Sequence, residues 1–165
     1  MGGVFIYKIG LGFDAHPFTE GRKLIIGGVC IDYEFGLLGH SDADVLIHAV
    51  IDAIAGICLN KDKGVLFPDS DPAYKGANSI DLLRKTAFLV DKAGYKVCNI
   101  DSTIIAQIPK FTPYIHLMRE NIAKALNIET ADVSVKATTT EYLGFTGRKE
   151  GIAAVANALV IKKQL

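Results

Sequence analysis

The sequence predicts a mixed α/β (α+β) fold, with one mixed β-sheet of the four-stranded type and three helices on one face of that sheet. Half of the 165 residues are apolar, which suffices for one packed core. Short β-rich runs alternate with longer segments of helical periodicity. The last apolar run, 152–161, is apolar on both faces, so both of its faces must be covered.

Composition and charge exclude several classes of protein. No linker or repeat divides the chain, so we expect a single domain over 1–165, with 1–5 as a tag or ragged start. The 18 basic and 18 acidic residues cancel, which argues against a nucleic-acid partner. No apolar run reaches the roughly 18 residues of a membrane span, and 1–5 lacks the features of a signal peptide. We therefore expect neither a nucleic-acid nor a membrane partner.

The three cysteines, Cys30, Cys58 and Cys98, stand singly in apolar surroundings. An odd number without a CxxC pair does not indicate a disulfide framework. We expect buried, reduced thiols in a cytoplasmic protein.

In the first half of the chain, the runs 5–11 and 24–31 are predicted to pair as strands at the N-terminal edge. A helix is predicted to begin at Ser41, because Asp44 three positions later completes a pair similar to a capping box. This helix is apolar on nearly all sides and should be buried. Its polar residues Asp44, His48 and Asp52 follow at i, i+4 spacing and share one stripe.

In the second half, helical periodicity predicts a helix over 79–93, ended by Gly94. A third helix is predicted to open at Thr112-Pro113, since proline suits a first turn. The predicted strands are 97–107, 133–137 and 152–161. If the helices cover one face of the sheet, its other apolar face needs a partner, which indicates an oligomer.

The segment Asp14-Ala15-His16 is predicted to lie on a strand, where alternate side chains point to the same side. His48, in an otherwise apolar helix, needs a partner for each ring nitrogen. Asp14, His16 and His48 would form a two-histidine, one-carboxylate set typical of catalytic zinc. The alternative is a pair of core histidines satisfied by hydrogen bonds. A dinucleotide-binding interpretation of the preceding glycines fails, because Pro17 discourages the helix that it requires.

Three further polar segments are candidates for phosphate chemistry. His40 and Ser41 precede the buried helix, where backbone N–H groups favour an anion; His40 is otherwise an exposed loop residue. The turn-rich segment 67–72 is either a surface loop or a carboxylate-lined hydroxyl or cation site. The segment 138–141, three threonines and a glutamate after a strand, suits phosphate plus Mg²⁺, although threonine is also common in strands.

Six motifs occur in order over residues 9–162: GLGFDAH, GHSDADVLIH, LFPDSDPAYKGA, AQIPK, KATTTE and GFTGRKEGIA. In these motifs the chain resembles the cyclodiphosphate synthase family of the non-mevalonate isoprenoid pathway. The resemblance implies a phosphorus–oxygen lyase that converts 4-diphosphocytidyl-2-C-methyl-D-erythritol 2-phosphate to the 2,4-cyclodiphosphate and releases CMP. It also implies a homotrimer with active sites between neighbours. The expected setting is the bacterial cytoplasm, or a plastid-type organelle if a transit segment has been removed.

The resemblance also implies the roles of individual residues. Asp14, His16 and His48 would bind one Zn²⁺ per subunit, and Glu141 would hold Mg²⁺ or Mn²⁺ with the substrate diphosphate. His40 and Thr139 would be catalytic, by stabilising the transition state. The substrate-binding residues that it implies are Asp14, Ala15, His16, His40, Ser41, Asp62, Lys63, Gly64, Phe67, Pro68, Asp69, Ser70, Asp71, Ala106, Gln107, Ile108, Pro109, Lys110, Phe111, Thr112, Thr138, Thr139, Thr140, Glu141, Phe145 and Arg148.

Within that set, the resemblance assigns 62–64 and the loop 67–71 to the methylerythritol portion of the substrate. The backbone of 106–112 would read cytosine, and 138–141 would clamp the diphosphate. The chain departs from the family at Lys63 and at Lys110-Phe111-Thr112. We expect the second departure to alter the shape of the pocket and to leave the choice of base unchanged.

Phe13 and Phe145 match family positions that line an apolar channel along the threefold axis, with Arg148 and Glu150 near one end. Glu150 is the expected partner of Arg148, because an unpaired buried charge is costly. Such a channel would suit a prenyl diphosphate; the alternative is that these residues only hold the trimer together. Two other classes remain open for the whole chain, a metallophosphohydrolase and a non-catalytic nucleotide-binding module.

Overall fold

The computed structural model describes residues 5–164, so the predicted tag or ragged start falls, apart from Phe5, outside the described residues. The elements, in chain order, are β1 Tyr7–Thr19, β2 Leu24–Ile26, β3 Val29–Ile31, β4 Gly36–Leu37, α1 Val45–Leu59, α2 Lys63–Leu66, α3 Ser79–Lys92, β5 Tyr95–Ile105, α4 Ile115–Leu126, β6 Val133–Thr138, α5 Gly144–Gly147 and β7 Gly151–Lys162, with 3₁₀ turns at Pro72–Tyr74 and Thr130–Asp132.

The main sheet has five strands in the order β4-β1-β7-β5-β6, one more than the four-stranded type that was predicted. It is mixed, as expected, because β5 and β6 are parallel and the other pairs are antiparallel. The additional strand is the two-residue β4 at the edge beside β1. So short a strand carries almost no periodic signal in the sequence.

The predicted pairing of 5–11 with 24–31 is wrong. Strand β1 instead pairs with the last strand, β7, from Tyr7 opposite Ile161 to Pro17 opposite Gly151. Residues 24–31 fold back on themselves as the hairpin β2–β3, because Gly27 and Gly28 both have positive φ, at 61° and 70°. Two such residues make the tight turn that joins neighbouring antiparallel strands.

Two helix starts lie later than predicted. Helix α1 is capped by Asp44, whose carboxylate accepts a hydrogen bond from the backbone N–H of Ile47. It cannot begin at Ser41, because Ala43 has a φ of 58°, in the left-handed region. Helix α4 begins at Ile115, since Thr112-Pro113 lies in a turn that precedes the helix. Helix α3 matches its prediction, and the short α2 and α5 were not predicted.

Helix α1 is buried on nearly all sides, as predicted, because it lies between the sheet and α3. It contacts β1 at two glycines, Gly10 and Gly12, which have no side chains. A Cβ at Gly10 would lie 2.0 Å from the carbonyl oxygen of Ala53, and one at Gly12 would lie 2.0 Å from that of Ala49. Because real Cβ atoms essentially never approach so closely, these positions require glycine, and the helix lies directly on the strand backbone.

The opposite face of the sheet is apolar and exposed within the chain. Strand β1 presents Tyr7, Ile9, Leu11 and Phe13 there, and the exposed fractions of Ile9 and Leu11 are 75% and 68%. The alternate residues of β7, such as Ala156, are fully buried on the helix side. Within a single chain, therefore, only the helix-facing side of the last strand is covered, and the predicted cover on its other face is not part of the chain.

The thiols of Cys30, Cys58 and Cys98 are free, as predicted, but they are not buried. Cys30 is exposed on β3, whereas Cys58, in the last turn of α1, and Cys98, on β5, are half-buried. Among residues 5–164, no helix is long and apolar enough to cross a membrane.

Candidate active site

Three side chains converge where β1 crosses the first turn of α1. Asp14 and His16 are alternate residues of β1 and point towards the helix, and His48 comes from α1. The Asp14 Oδ2 atom lies 2.8 Å from His16 Nε2 and 2.8 Å from His48 Nδ1. The two ring nitrogens are 3.2 Å apart. One ligand atom from each residue thus lies within 4.8 Å of the others, as the binding of a single metal ion requires.

The second nitrogen of each imidazole is also held. His16 Nδ1 lies 2.8 Å from the carbonyl oxygen of Leu38, and His48 Nε2 lies 3.1 Å from the hydroxyls of both Ser41 and Ser79. Histidine ligands of metals are oriented in this way, with the outer N–H donated to an oxygen acceptor. The donor set, two imidazoles and a carboxylate with open positions, fits a catalytic zinc ion.

The electrostatic environment favours the metal-ligating protonation states. Burial alone would raise the pKa of Asp14, but the hydrogen bonds with His16 and His48 and the charge of Lys63 outweigh it and hold that pKa below its usual range. Burial lowers the pKa of His48, although its hydrogen bond with Asp14 opposes this. A carboxylate and a neutral imidazole are the forms whose lone pairs can bind a cation.

The loop before α1 contributes to the same cleft. His40, Ser41, Lys63, Gly64 and Asp69 line it together with the two histidines and the aromatic pair described below. The His40 Nε2 atom is buried and has no hydrogen-bond partner among residues 5–164. Ser41 faces His48, so its hydroxyl orients that ring. An unpartnered buried nitrogen in a cleft is suited to a ligand oxygen.

Sequence reasoning missed Ser79 as a site residue, and it missed the contacts of Asp44 with the hairpin. Ser79, predicted only as the start of a helix, donates its hydroxyl to Asp42 and also contacts His48. Asp44 binds the N–H groups of Gly27 and Gly28, at 2.9 and 2.6 Å, which fixes the hairpin against the start of α1. Nothing in the sequence indicated the Ser79 contact, because it joins segments 31 residues apart.

The segment 62–71 closes one side of the cleft. Asp62 caps α2 by accepting a hydrogen bond from the N–H of Val65. The N–H of Lys63 donates to Asp52 Oδ1 at 2.6 Å, so Asp52, on the same stripe of α1 as His48, anchors this segment. Phe67 is buried and packs edge-on against Tyr74. Pro68 is half-buried, Asp69 and Ser70 are exposed, and Asp71 caps the following 3₁₀ turn.

The remaining predicted residues lie at the ends of the parallel strands β5 and β6. The N–H of Ala106 donates to the carbonyl of Thr138, and Gln107 accepts from the N–H of Tyr142. The Ile108–Pro109 bond is cis, and Lys110 is exposed. The Phe111 side chain belongs to the hydrophobic core, which leaves the backbone of this segment as its outward-facing part.

The segment 138–141 is exposed or half-buried, and within residues 5–164 Glu141 forms no ion pair. Thr139 donates its hydroxyl to Glu141 at 2.6 Å. The hydroxyl of Thr140 is bound to the carbonyl of Leu143, and that of Thr138 to the carbonyl of Thr139. Glu141 has a φ of 50°, a left-handed conformation that is uncommon for a residue other than glycine.

Phe13, Phe145 and Thr140 line an apolar pocket on the exposed face of the sheet. Arg148 donates two hydrogen bonds to Glu150, of 2.7 and 3.1 Å, which confirms the predicted pair. The pair forms across a turn at Lys149, whose φ is 63°, instead of along an extended segment.

The predicted residues therefore form two groups. The metal group contains Asp14, His16, His40, His48 and the segments 62–64 and 67–71, and the second group comprises 106–112 and 138–145. Across the described part of the chain, no hydrogen bond or ion pair joins the two groups. Ala15 lies on β1 between the metal-site residues and points to the opposite face of the sheet.

Residues 7–161 match the family described as the YgbB family. The chain belongs to that family. Among its members, a protein of Clostridium perfringens named 2-C-methyl-D-erythritol 2,4-cyclodiphosphate synthase is 57% identical over 155 residues, covering 94% of this chain and 99% of the relative. This confirms the family that the six motifs indicated.

Solved structures of YgbB-like proteins show the same fold. The bifunctional IspDF of Campylobacter jejuni is 43% identical with a TM-score of 0.92; the match covers 96% of this chain and only 43% of that longer one. A Plasmodium falciparum IspF, solved as a CDP complex, is 37% identical with a TM-score of 0.83, with 96% and 97% of the chains covered.

Proposed function

We propose that this chain is a 2-C-methyl-D-erythritol 2,4-cyclodiphosphate synthase. It would convert 4-diphosphocytidyl-2-C-methyl-D-erythritol 2-phosphate to the 2,4-cyclodiphosphate and CMP. The observation that carries the proposal is the cluster of Asp14, His16 and His48, with both outer ring nitrogens held, in a chain whose relative of that name is 57% identical along nearly its whole length.

The three side chains would hold one Zn²⁺ per subunit. A zinc ion bound there supplies Lewis acidity to a phosphoryl oxygen and so favours attack at phosphorus. The residues around the cluster hold the substrate in line. An oxygen of the 2-phosphate bonds to the β-phosphorus, the bond from that phosphorus to the bridging oxygen breaks, and CMP leaves with that oxygen. Phosphoryl transfer of this kind needs positioning and charge neutralisation more than a protein nucleophile.

His40 and Thr139 are the proposed catalytic residues. The buried, unpartnered Nε2 of His40 suits donation to a phosphate oxygen as its charge increases. The Thr139 hydroxyl can exchange its contact with Glu141 for a phosphate oxygen. Glu141 would hold Mg²⁺ or Mn²⁺ on the diphosphate, since hard cations prefer oxygen ligands. The segments 62–64 and 67–71 would hold the methylerythritol portion, and the backbone of 106–112 would read cytosine.

We infer that the enzyme is a homotrimer with each active site between two neighbours. Two observations support the assembly. The sheet face with Ile9 and Leu11 is apolar and exposed in a single chain, and no hydrogen bond or ion pair within residues 5–164 joins the metal group to the second group. An exposed apolar face of this kind marks an interaction surface. The bacterial relative from Clostridium supports a cytoplasmic enzyme.

Product analysis tests the reaction. The purified protein, with Zn²⁺ and Mg²⁺, should convert the diphosphocytidyl substrate to a cyclic diphosphate and one equivalent of CMP, identified by ³¹P NMR and mass spectrometry. A linear hydrolysis product would indicate a metallophosphohydrolase instead, and binding of CDP without turnover would indicate a nucleotide-binding module. CDP should raise the unfolding temperature more than ADP or UDP, because a ligand of the native state stabilises it by mass action.

The pocket lined by Phe13 and Phe145, with the Arg148–Glu150 pair near it in sequence, would become the axial channel of the trimer. We propose that it accepts a prenyl diphosphate, with the apolar tail along the phenylalanines and the phosphates at Arg148. Titration of geranyl diphosphate into the wild type and into trimeric Arg148→Ala tests this. Equal affinity for both proteins would leave these residues a structural role only.

A further inference from the structure

Lys63 extends into the metal cluster from the first residue of α2. Its Nζ atom lies 3.2 Å from Asp14 Oδ2 and 3.1 Å from His48 Nδ1. These are two of the ligand atoms in the cluster. The side chain is largely enclosed, with 24% of its surface exposed. The ammonium therefore contacts the lone pairs that a metal ion would take.

Two cations cannot share those lone pairs. An N–H of Lys63 that points at His48 Nδ1 uses the electron pair that a metal bond would need, and the same holds for Asp14 Oδ2. Like charges at such a distance also repel each other. Metal binding therefore requires the ammonium to leave its present position.

The backbone of Lys63 cannot move far with its side chain. Its N–H is bound to Asp52 on α1, and Asp62 fixes the start of α2. Rotation about the side-chain bonds would carry Nζ into the cleft that Lys63 lines together with His40, Ser41 and Gly64. In that cleft His40 presents its unpartnered Nε2. A lysine placed beside such a donor binds phosphate as a point charge.

We propose that the Lys63 ammonium competes with the metal for Asp14 and His48 and, once displaced, binds a phosphate of the substrate. The identity of that phosphate rests on the proposed function. The competition between Lys63 and the metal does not depend on it. Lys63 is then a substrate-binding residue that links the two binding events. Metal binding makes a charge available to the substrate, and substrate binding holds that charge away from the metal ligands. By linkage, each ligand increases the affinity of the other.

The first measurement is the affinity for Zn²⁺ alone, made by competition with a chromogenic chelator on metal-stripped full-length protein. Lys63→Met should bind Zn²⁺ roughly tenfold more tightly than wild type, the scale on which groups contacting metal ligands alter affinity. Lys63→Arg keeps the charge and should remain close to wild type. The matched control is Lys61→Met, which removes the same charge from an exposed position two residues away and should change nothing.

The second measurement is the KM for the substrate with Zn²⁺ at saturation. Lys63→Met should raise KM roughly tenfold, because one charged contact to phosphate is lost. Tighter zinc binding together with a raised KM supports the proposal. Zinc affinity that is unchanged or weaker in Lys63→Met overturns the competition, and an unchanged KM overturns the transfer to phosphate.

The two proposals fail in distinguishable ways. If the wild type forms no cyclic product, the proposed function fails, and the zinc titration still decides whether Lys63 competes for the ligands. If the wild type is active and the Lys63→Met titration matches wild type, only the inference about Lys63 fails.

Discussion

The metal cluster and the segment 138–141 occupy the same end of the sheet and differ in almost every physical respect. Asp14, His16 and His48 come from a long strand and a buried helix, and their outer atoms are held by further residues. Thr139 and Glu141 lie on an exposed loop and contact mainly each other. The first site is preorganised within one chain, whereas the second has hydroxyl and carboxylate oxygens available for new partners.

This difference indicates how the two sites can be altered. A change in the preorganised cluster should abolish a function outright, because the remaining ligands cannot adjust. A change in the exposed loop should weaken binding by degrees, because solvent and substrate can compensate.

The largest effect is expected from His48→Ala. It removes one of three metal ligands, so zinc content should fall to background and CMP release by at least about a hundredfold, since even outer contacts of a metal site reach that range. His48→Asn, closer in size, guards against a packing defect. His116→Ala, at an exposed ion pair on α4, is the control and should keep both zinc and turnover. A fully active His48→Ala protein would rule out the zinc site.

Next in size is the effect of Leu11→Lys on assembly. The exposed apolar face would then carry a charge, and burying an unpaired ammonium costs several kcal/mol per subunit. The variant should sediment as a smaller species than wild type and lose activity. Leu117→Lys, at an exposed apolar residue of α4 on the helical side, is the matched control. If Leu11→Lys assembles like wild type, the face is not an interface between copies.

Glu141→Gln should have a graded effect. Replacing a carboxylate oxygen by an amide weakens a hard-cation ligand, so the Mg²⁺ concentration for half-maximal rate should rise about tenfold, equivalent to about 1.4 kcal/mol. Zinc content should stay at wild-type level, because the imidazole cluster is untouched. Glu129→Gln, at an exposed residue preceding a 3₁₀ turn, is the control. A fall in zinc with unchanged Mg²⁺ dependence would show that the two metals were assigned wrongly.

The smallest effect concerns Asp44, the buried carboxyl that caps α1. Burial, helped by the nearby Asp42 carboxylate, raises the pKa of Asp44 to about 7 from 3.8. Between those values the folded chain keeps a proton that the unfolded chain has lost, so the free energy of unfolding should fall as pH rises from about 4 to about 7. A full proton corresponds to about 1.4 kcal/mol per pH unit, an upper limit here because three backbone N–H groups favour the charged form.

Urea denaturation at several pH values measures this dependence. Asp44→Asn should lose stability at every pH, through its lost acceptor, and should show a flatter pH dependence than wild type. Asp81→Asn, at an exposed residue of α3, should keep the wild-type slope. An Asp44→Asn protein with an unchanged slope would show that Asp44 does not carry the pH dependence.

Much of this site could be predicted from sequence, because its residues lie in strongly periodic elements. Strand alternation placed Asp14 and His16 on one side, and the apolar helix made His48 conspicuous. The pairing of β1 with β7 could not be predicted. It joins the two ends of the chain, and the apolar pattern of a strand does not indicate which other strand it pairs with. The contacts of Ser79 and Lys63 with the cluster could not be predicted for the same reason, because they depend on tertiary packing. For Lys63 the family resemblance implied substrate binding alone.

Gly10 and Gly12 of β1 influence the positions of the metal-site residues although they do not contact them. Because Gly12 lies against the Ala49 carbonyl, next to His48, the absence of a side chain there determines how closely the helix approaches the strand. That approach is also the span between the carboxylate on the strand and the imidazole on the helix. The spacing of the residues that would bind a metal ion is thus set in part by two glycines that are not ligands themselves, and an added methyl group would move the ligand residues apart without touching them.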